Sequence, residues 1–270
     1  MTLPETMPDL LDIGANLTHD SFDEDRDAVI ARAREHGVRR VVVTGSTEQG
    51  SIDAVNLAES YPGCLFATAG VHPHHASDYQ QSVGETIRDL SVREAAVAIG
   101  ECGLDYFRNF SPRAAQRDAF QAQLEIAAEC SLPVFLHQRD AHDEFVEILK
   151  PMLELVPGGV AHCFTGTENE LRVYLDLGLM IGITGWICDE RRGNPLRALV
   201  KLIPPDRLLL ETDSPYLLPR TLTPRPRSRR NEPMHLREVL RVVAASAGRT
   251  EADVAAACTA NAERFFCLPR

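Results

Sequence analysis

The sequence lacks the features of a membrane or disulfide-stabilised protein. No run of 18 apolar residues occurs in the 270-residue chain, so we expect no membrane-spanning helix and no membrane partner. The start, MTLPETMPDLLDIG, has no basic stretch followed by a long apolar one, which argues against a signal peptide. The seven cysteines are scattered and form no C-x-x-C pair, which argues against a disulfide framework or a thiolate zinc site. We therefore expect a cytoplasmic protein.

The chain also lacks an excess of positive charge. It has 28 Lys and Arg against 39 Asp and Glu, a formal net charge of −11. This balance argues against a protein that coats DNA non-specifically, because phosphate binding requires local positive charge. It is compatible with an enzyme that has a small basic patch beside acidic metal ligands. The apolar fraction of 44% is enough for a substantial core.

Eight short apolar runs alternate with amphipathic stretches along the chain. Each run is continuous, which is typical of parallel strands covered on both faces. Ser111-Pro112 and Asn194-Pro195 are helix-start signals between runs. We expect the α/β class: a single (β/α)8 TIM-type barrel over residues 1–270 with an extra C-terminal helix, the alternative being a doubly wound open sheet. The runs cover residues 10–17, 39–46, 65–73, 96–105, 133–140, 159–166, 179–186 and 208–215.

Residues that can bind a metal stand at the ends of four of these runs. They are Glu101, His137, His162 and Asp213. In a closed barrel all such ends converge on one mouth, whereas in an open sheet only those near the switch point do, which favours the barrel. One histidine at a strand end is more often a satisfied polar residue than a ligand. Two imidazoles and two carboxylates together predict a site for a hard or borderline divalent cation.

A histidine pair, His72 and His74, separated by one proline, stands where the third run ends. Because residues two apart in an extended segment project to the same side, both can face the mouth. They are either metal ligands or groups that hold a phosphate and protonate a leaving oxygen, the alternative being a histidine-rich surface loop. Cys102 and Cys163 directly follow two of the predicted ligands, and strand alternation predicts that both thiols point away from the mouth.

Arginine is the candidate for binding substrate phosphate, since its guanidinium group matches phosphate oxygens. Arg229 and Arg230 belong to an arginine-rich loop after the eighth run, and Arg139 lies two positions after His137 at the end of the fifth. A solvated loop is the alternative for the first two. Tyr106 and Phe107 are candidates for stacking on a base, although ordinary packing explains them equally well.

Eight stretches between residues 12 and 233 match one family pattern: DIGANLT, TAGVHPH, AIGECGLD, HQRDAH, HCFTGT, IGITGWICDERRG, ETDSPYLLPR and SRRNEP. In this combination the chain resembles the TatD family of metal-dependent deoxyribonucleases in the amidohydrolase superfamily. The resemblance implies a TIM-type barrel that hydrolyses single-stranded DNA from the 3′ end, with RNA as an alternative substrate. It implies Mg²⁺ as the cofactor, with Mn²⁺ as the alternative, and a role in DNA repair or degradation. No apolar patch indicates a dimer, so a monomer is the default expectation.

The resemblance also implies roles for single residues. The four residues at the run ends fall on the family's metal ligands, and Asp213 also falls on its general base. His72 and His74 fall where the family contacts the scissile phosphate, which makes His74 the second candidate catalytic residue.

The first run departs from the wider family, which has an Asp-x-His-x-His pattern there. This chain has Asp12, Gly14 and Asn16 at the corresponding positions, so both histidines are missing. Glycine has no ligating side chain, and the Asn16 amide oxygen would be a weak metal ligand. We therefore expect one cation held by the protein, with a second one weakly bound or recruited by the substrate.

Two other functions are compatible with such a barrel. The first is hydrolysis of a lactone, cyclic amide or ester, but enzymes of that kind generally use a firmly bound two-metal site with the first-strand histidine pair. The second is a non-catalytic barrel with a structural metal or a docking surface. A structural ion would not require the candidate base and phosphate-facing groups that this sequence contains.

Overall fold

The structure, a computed structural model, describes residues 9–269. Within this range eight parallel strands pair in sequence order, β1 to β8, and helices connect them. The strands are β1 Leu10–Ala15, β2 Val38–Val43, β3 Leu65–Ala69, β4 Ala96–Asp105, β5 Val134–Arg139, β6 Gly159–Ala161, β7 Met180–Ile183 and β8 Leu208–Leu210. The helices are α1 Arg26–Glu35, α2 Glu48–Ser60, α3 Gln81–Ser91, α4 Arg113–Cys130, α5 His142–Leu149, α6 Glu168–Asp176, α7 Asn194–Val200, α8 Leu236–Ala247 and α9 Glu251–Phe265.

The sheet closes between the first and last strands. Ala15 bridges Ser214 in parallel, and the backbone N–H of Asn16 donates to the Ser214 carbonyl at 2.7 Å. The N–H of Asp213 donates to the Gly14 carbonyl at 2.8 Å. The predicted TIM-type barrel with an extra C-terminal helix is therefore confirmed, and the open sheet is excluded.

The hydrophobic core has an outer layer between strands and helices and an inner layer inside the barrel. Ile13, Phe66 and Phe135 belong to the inner layer, together with Phe266 and Leu268 from the segment at the end of α9. These side chains fill the barrel, so it is a packed core and not a pore.

Helix α9 lies at the amino ends of the strands. The Thr259 hydroxyl donates to the carbonyl of Asp9, just before β1, and the Asn261 amide donates to the carbonyl of Leu208, at the start of β8. The C-terminal helix therefore covers this end of the barrel and leaves the carboxyl ends open for a site.

Local signals explain where several helices begin and end. Helix α4 begins directly after the predicted start signal Ser111-Pro112, and its last residue, Cys130, is followed by Ser131, which adopts the left-handed conformation with φ 54°. Helix α6 begins with a capping box in which the Thr167 and Glu170 side chains bond each other's backbone N–H groups. No helix within residues 9–269 is both long and apolar enough to cross a membrane.

Candidate active site

A cavity of about 1220 Å³ opens at the carboxyl ends of the strands. Because the strands are parallel and the sheet is closed, residues far apart in sequence meet at this mouth. The predicted site residues that line it are Asn16, His72, His74, Glu101, His137, Arg139, His162 and Asp213.

Glu101 lies at the centre of this group. Its Oε1 atom is 2.9 Å from His137 Nδ1, 2.9 Å from His162 Nε2 and 3.3 Å from His72 Nε2. Burial alone would raise the pKa of Glu101, but the charges of His162 and His72 hold it well below its usual range. The carboxylate is therefore ionised and surrounded by three imidazole nitrogens.

The donor set fits a divalent cation. Ligand atoms of His72, Glu101 and His137 all lie within 4.8 Å of one another. Within the described residues 9–269, the Nε2 atom of His137 is buried and has no hydrogen-bond partner. Mixed imidazole nitrogen and carboxylate oxygen suits borderline and hard divalent ions. The geometry thus groups His72 with the candidate cation site, one of the two roles that the sequence left open.

Glu211 contacts the ring nitrogen of His162 that does not face Glu101, and the sequence pattern did not identify this residue. The Nδ1 atom of His162 is 3.0 Å from Glu211 Oε2, and the other carboxylate oxygen accepts the N–H of Cys163 at 2.5 Å. Glu211 is fully buried. A carboxylate in this position fixes the orientation and tautomer of a ligating histidine. The available signal was its place at the end of the eighth run, two residues before Asp213.

Asp105 contacts the ring of His74 in a similar way, and the sequence pattern did not identify this residue either. Its Oδ2 atom is 2.8 Å from His74 Nε2 and 3.4 Å from His137 Nε2. Burial would raise the pKa of Asp105, but the neighbouring His137 and His74 side chains hold it well below its usual range. The charged Asp105 therefore orients the histidine that we single out for acid–base chemistry.

Asp213 follows β8, and its φ of 53° turns the chain away from strand geometry. Asn16 donates its amide N–H to Asp213 Oδ1 at 3.1 Å and to the Ser214 carbonyl at 3.3 Å. The carbonyl acceptor identifies the nitrogen end of the Asn16 amide. Burial raises the pKa of Asp213 to about 7, although the charge of His162 opposes this shift.

The three candidate arginines lie in different places. Arg139 lines the mouth, with its guanidinium carbon 3.9 Å from the centre of the Phe107 ring. Arg229 is exposed and is not among the residues that line the cavity. Arg230 is bound to Asp25 at 2.7 Å and to Glu232 at 2.9 Å, so its charge is engaged within the protein.

The prediction for one of the two cysteines is wrong, and one of the two candidate aromatic residues has the packing role that the sequence left open. Cys163 lines the cavity, because β6 ends at Ala161 and the left-handed conformation of Cys163, φ 46°, breaks strand alternation. Cys102 is fully buried, as the pattern predicts. Tyr106 is also buried and hydrogen-bonded to Glu144 through its hydroxyl, so it is not available for stacking.

A family model described as TatD related DNase matches residues 11–267. The chain belongs to this family. The protein "3′-5′ ssDNA/RNA exonuclease TatD" of Erwinia billingiae is 53% identical over 260 residues, which is 96% of this chain and all of that protein. The protein of the same name in Citrobacter rodentium is 52% identical and covers 95% of this chain and 97% of its own.

Solved structures of the TatD family have the same fold. YJJV, a TatD homologue from Escherichia coli, superposes with a TM-score of 0.88 at 28% identity, over 96% of this chain and 98% of its own. A TatD-family hydrolase from Entamoeba histolytica has a TM-score of 0.85 at 26% identity, over 96% and 99%. The Listeria monocytogenes lactonase Lmo2620 has a TM-score of 0.64 at 13% identity, over 97% and 95%, and shares the fold alone.

Proposed function

We propose that this TatD-family protein is a divalent-metal-dependent exonuclease that removes nucleotides from the 3′ end of single-stranded DNA, with RNA as an alternative substrate. The convergence of three imidazole nitrogens on the Glu101 carboxylate, at the open end of the barrel, carries the proposal. The name of relatives that are 52–53% identical supports the substrate and polarity. Mg²⁺ is the proposed cofactor, and Mn²⁺ is the alternative.

Glu101, His137, His162 and Asp213 are the proposed holders of the cation, and we add His72 because its ligand atom lies within 4.8 Å of those of Glu101 and His137. When bound, a divalent cation neutralises phosphate charge and makes water a better nucleophile at neutral pH. Glu211 keeps His162 in the orientation that ligation requires.

Proton transfer is assigned to two side chains. Asp213 accepts the proton of the attacking water, and Asn16 orients its carboxylate through the 3.1 Å hydrogen bond to Oδ1. His74, oriented by Asp105, holds the scissile phosphate and protonates the leaving oxygen. Arg139 provides a guanidinium group for a neighbouring phosphate.

Other parts of the hypothesis stay predictions. These are the single-domain organisation of residues 1–270, the monomeric state, the cytoplasmic location and a role in DNA repair or degradation. Phosphate binding by Arg229 and Arg230 also stays a prediction, although the ion pairs of Arg230 make it the weaker candidate of the two.

Digestion of single strands labelled at one end tests metal, substrate and polarity together. With Mg²⁺ or Mn²⁺, a 5′-labelled strand should shorten stepwise while a 3′-labelled strand releases labelled mononucleotide at once. A chelator should stop both reactions. Turnover of a lactone or hydantoin panel without any nucleotide release would instead establish the rival hydrolase function.

The matched variants are Asp213→Asn and Asp206→Asn, since Asp206 is an exposed aspartate that does not line the cavity. The first should retain the fold and lose turnover, because the candidate base is removed. The second should behave as wild type. Full turnover by Asp213→Asn would contradict the assignment of the base.

A further inference from the structure

The exposed aromatic side chains of this protein are concentrated at the mouth of the barrel. Within residues 9–269 they are Phe107, Phe110 and Tyr216, with exposed fractions of 54%, 67% and 51%. All three line the cavity that contains the candidate cation site. Large apolar groups that stay exposed together at a cleft indicate a surface that contacts a ligand.

Two of these rings are close to groups that we assign to the phosphate. The Phe110 ring centre is 4.7 Å from that of His74, in edge-on geometry. The Phe107 ring lies under the Arg139 guanidinium at 3.9 Å, and the guanidinium carbon of Arg108 is 5.7 Å from its centre. This side of the mouth therefore combines flat apolar rings with positive charge.

The third ring, that of Tyr216, belongs to the same loop as the candidate base Asp213. Tyr216 follows Asp213 closely, and its backbone N–H donates to the Asp213 carbonyl at 2.9 Å. Its ring centre is 5.7 Å from that of His19. Phe107 and Phe110 come from the loop after β4, whereas Tyr216 comes from the loop after β8, so the rings belong to two different loops of the mouth.

The loop after β4 is fixed by its own hydrogen bonds. Asp105 Oδ1 accepts the backbone N–H of Phe107 at 3.0 Å and that of Arg108 at 2.8 Å. The Asn109 side chain donates to the Tyr106 carbonyl at 2.6 Å. Because this backbone is held in place, exposed rings on it lose little conformational entropy when they bind a ligand.

We propose that Phe107, Phe110 and Tyr216 form an aromatic clamp that stacks on the bases of unpaired nucleotides on either side of the scissile phosphate. The inference rests on the proposed exonuclease function and deepens it. A nucleobase presents a flat face that stacks on such rings whatever its sequence, and the adjacent arginines suit the backbone phosphates. A paired base is stacked within its duplex, so the clamp selects single-stranded ends.

Two oligonucleotides test the clamp: one with ordinary bases, and one whose two 3′-terminal residues are abasic. Wild type should have the higher kcat/KM on the first. Phe107→Ala, Phe110→Ala and Tyr216→Ala should each lower that value by about 5- to 140-fold, since stacking on an aromatic side chain contributes about 1–3 kcal/mol per base. The same variants should lower kcat/KM on the abasic strand much less, and Phe110→Trp should retain the discrimination that Phe110→Ala loses.

Leu155→Ala is the matched control, because Leu155 is 61% exposed and does not line the cavity. It should match wild type on both substrates. Equal losses on both strands in the clamp variants would indicate a structural role and overturn the inference, as would unchanged rates on the ordinary strand.

A binding measurement tests the clamp independently of the proposed exonuclease function. Fluorescence anisotropy of the two labelled strands in the presence of chelator requires no turnover. The clamp is supported if wild type binds the ordinary strand more tightly than the abasic strand and the alanine variants lose this preference. This conclusion holds even if no nucleotide is released with metal. Absence of nucleotide release would refute the exonuclease function alone. Equal binding of both strands by wild type would refute the clamp.

Discussion

Glu211 fits beside the site because two glycines leave room for its carboxylate. A Cβ atom at Gly14 would lie 2.6 Å from Glu211 Oε2, and one at Gly182 would lie even closer to Oε1. Gly14 stands at one of the two positions where the wider family has a first-strand histidine. In this chain a buried acid that contacts His162 lies directly beside this position.

Gly14→Ala should therefore destabilise the protein by about 1–3 kcal/mol, the usual effect of overpacking a core. In a Glu211→Ala background the same change should have a smaller effect, because the closest clashing atom is gone. Urea unfolding of the four proteins measures this coupling. An equal effect in both backgrounds would show that Glu211 is not the obstacle.

Two helices are followed directly by a residue in the left-handed conformation, which favours glycine. Ser131, with φ 54°, directly follows helix α4, and Gly248, with φ 68°, directly follows helix α8. Ser131 is exposed, so its side chain contributes no core packing. Ser131 carries a Cβ atom in this unfavourable conformation, whereas Gly248 has none.

Opposite substitutions at these ends should have opposite effects. Ser131→Gly should stabilise the protein and Gly248→Ala should destabilise it, each by about 0.5–1 kcal/mol, because the Cβ atom is unfavourable in this conformation. Thermal unfolding of both variants beside wild type is the measurement. Changes of the same sign would contradict the conformational explanation.

The loop after β8 is tied to helix α1 by an ion-pair network. Arg230 bonds Asp25 and Glu232, and Arg32 bonds the same two acids. The hydrogen bond from Arg230 lowers the pKa of Asp25 to about 2, from an ordinary 3.8. This network orders the arginine-rich loop, a role that the sequence did not indicate.

Because the pKa of Asp25 is lowered on folding, its ionised form stabilises the native state above about pH 4, and this contribution is lost as the pH falls toward 2. Asp25→Asn should be less stable than wild type at pH 7, by a small amount because the side chain is partly exposed. The difference in urea midpoint should narrow below pH 4. A difference that is constant with pH, or one that the control Asp206→Asn reproduces, would count against the network.

Closure of the sheet gives the molecule two unlike ends. Helix α9 and the inner core layer cover the amino end, while candidate ligands that follow strands β3 to β8 lie around Glu101 at the carboxyl end. A cation at this end would bridge several strand ends. Binding there should therefore stabilise the whole barrel and not only one loop.

Addition of Mn²⁺ or Mg²⁺ to chelator-treated protein should raise the melting temperature. A 100-fold excess over the dissociation constant stabilises by about 2.7 kcal/mol, or about 5 °C or more for a domain of this size. The shift should vanish in Glu101→Gln, whose amide cannot replace the central carboxylate. The same shift in that variant would place the cation elsewhere, and chelator should reverse it in wild type.

The sequence by itself determined the alternation of strands and helices and the mouth residues Glu101, His137 and His162. These follow from local patterns: continuous apolar runs, helix-start signals and polar residues at run ends. Closure of eight parallel strands then brings such ends together whatever their distance in sequence.

Only the tertiary structure decided which groups support the site. Glu211, Asp105 and the partners of Arg230 depend on where the chain turns after each strand, and Cys163 turns toward the mouth where strand alternation has ended. Periodicity describes a residue only while the regular element lasts. Beyond the last strand residue, position depends on contacts with loops that are distant in sequence, and no local pattern records them.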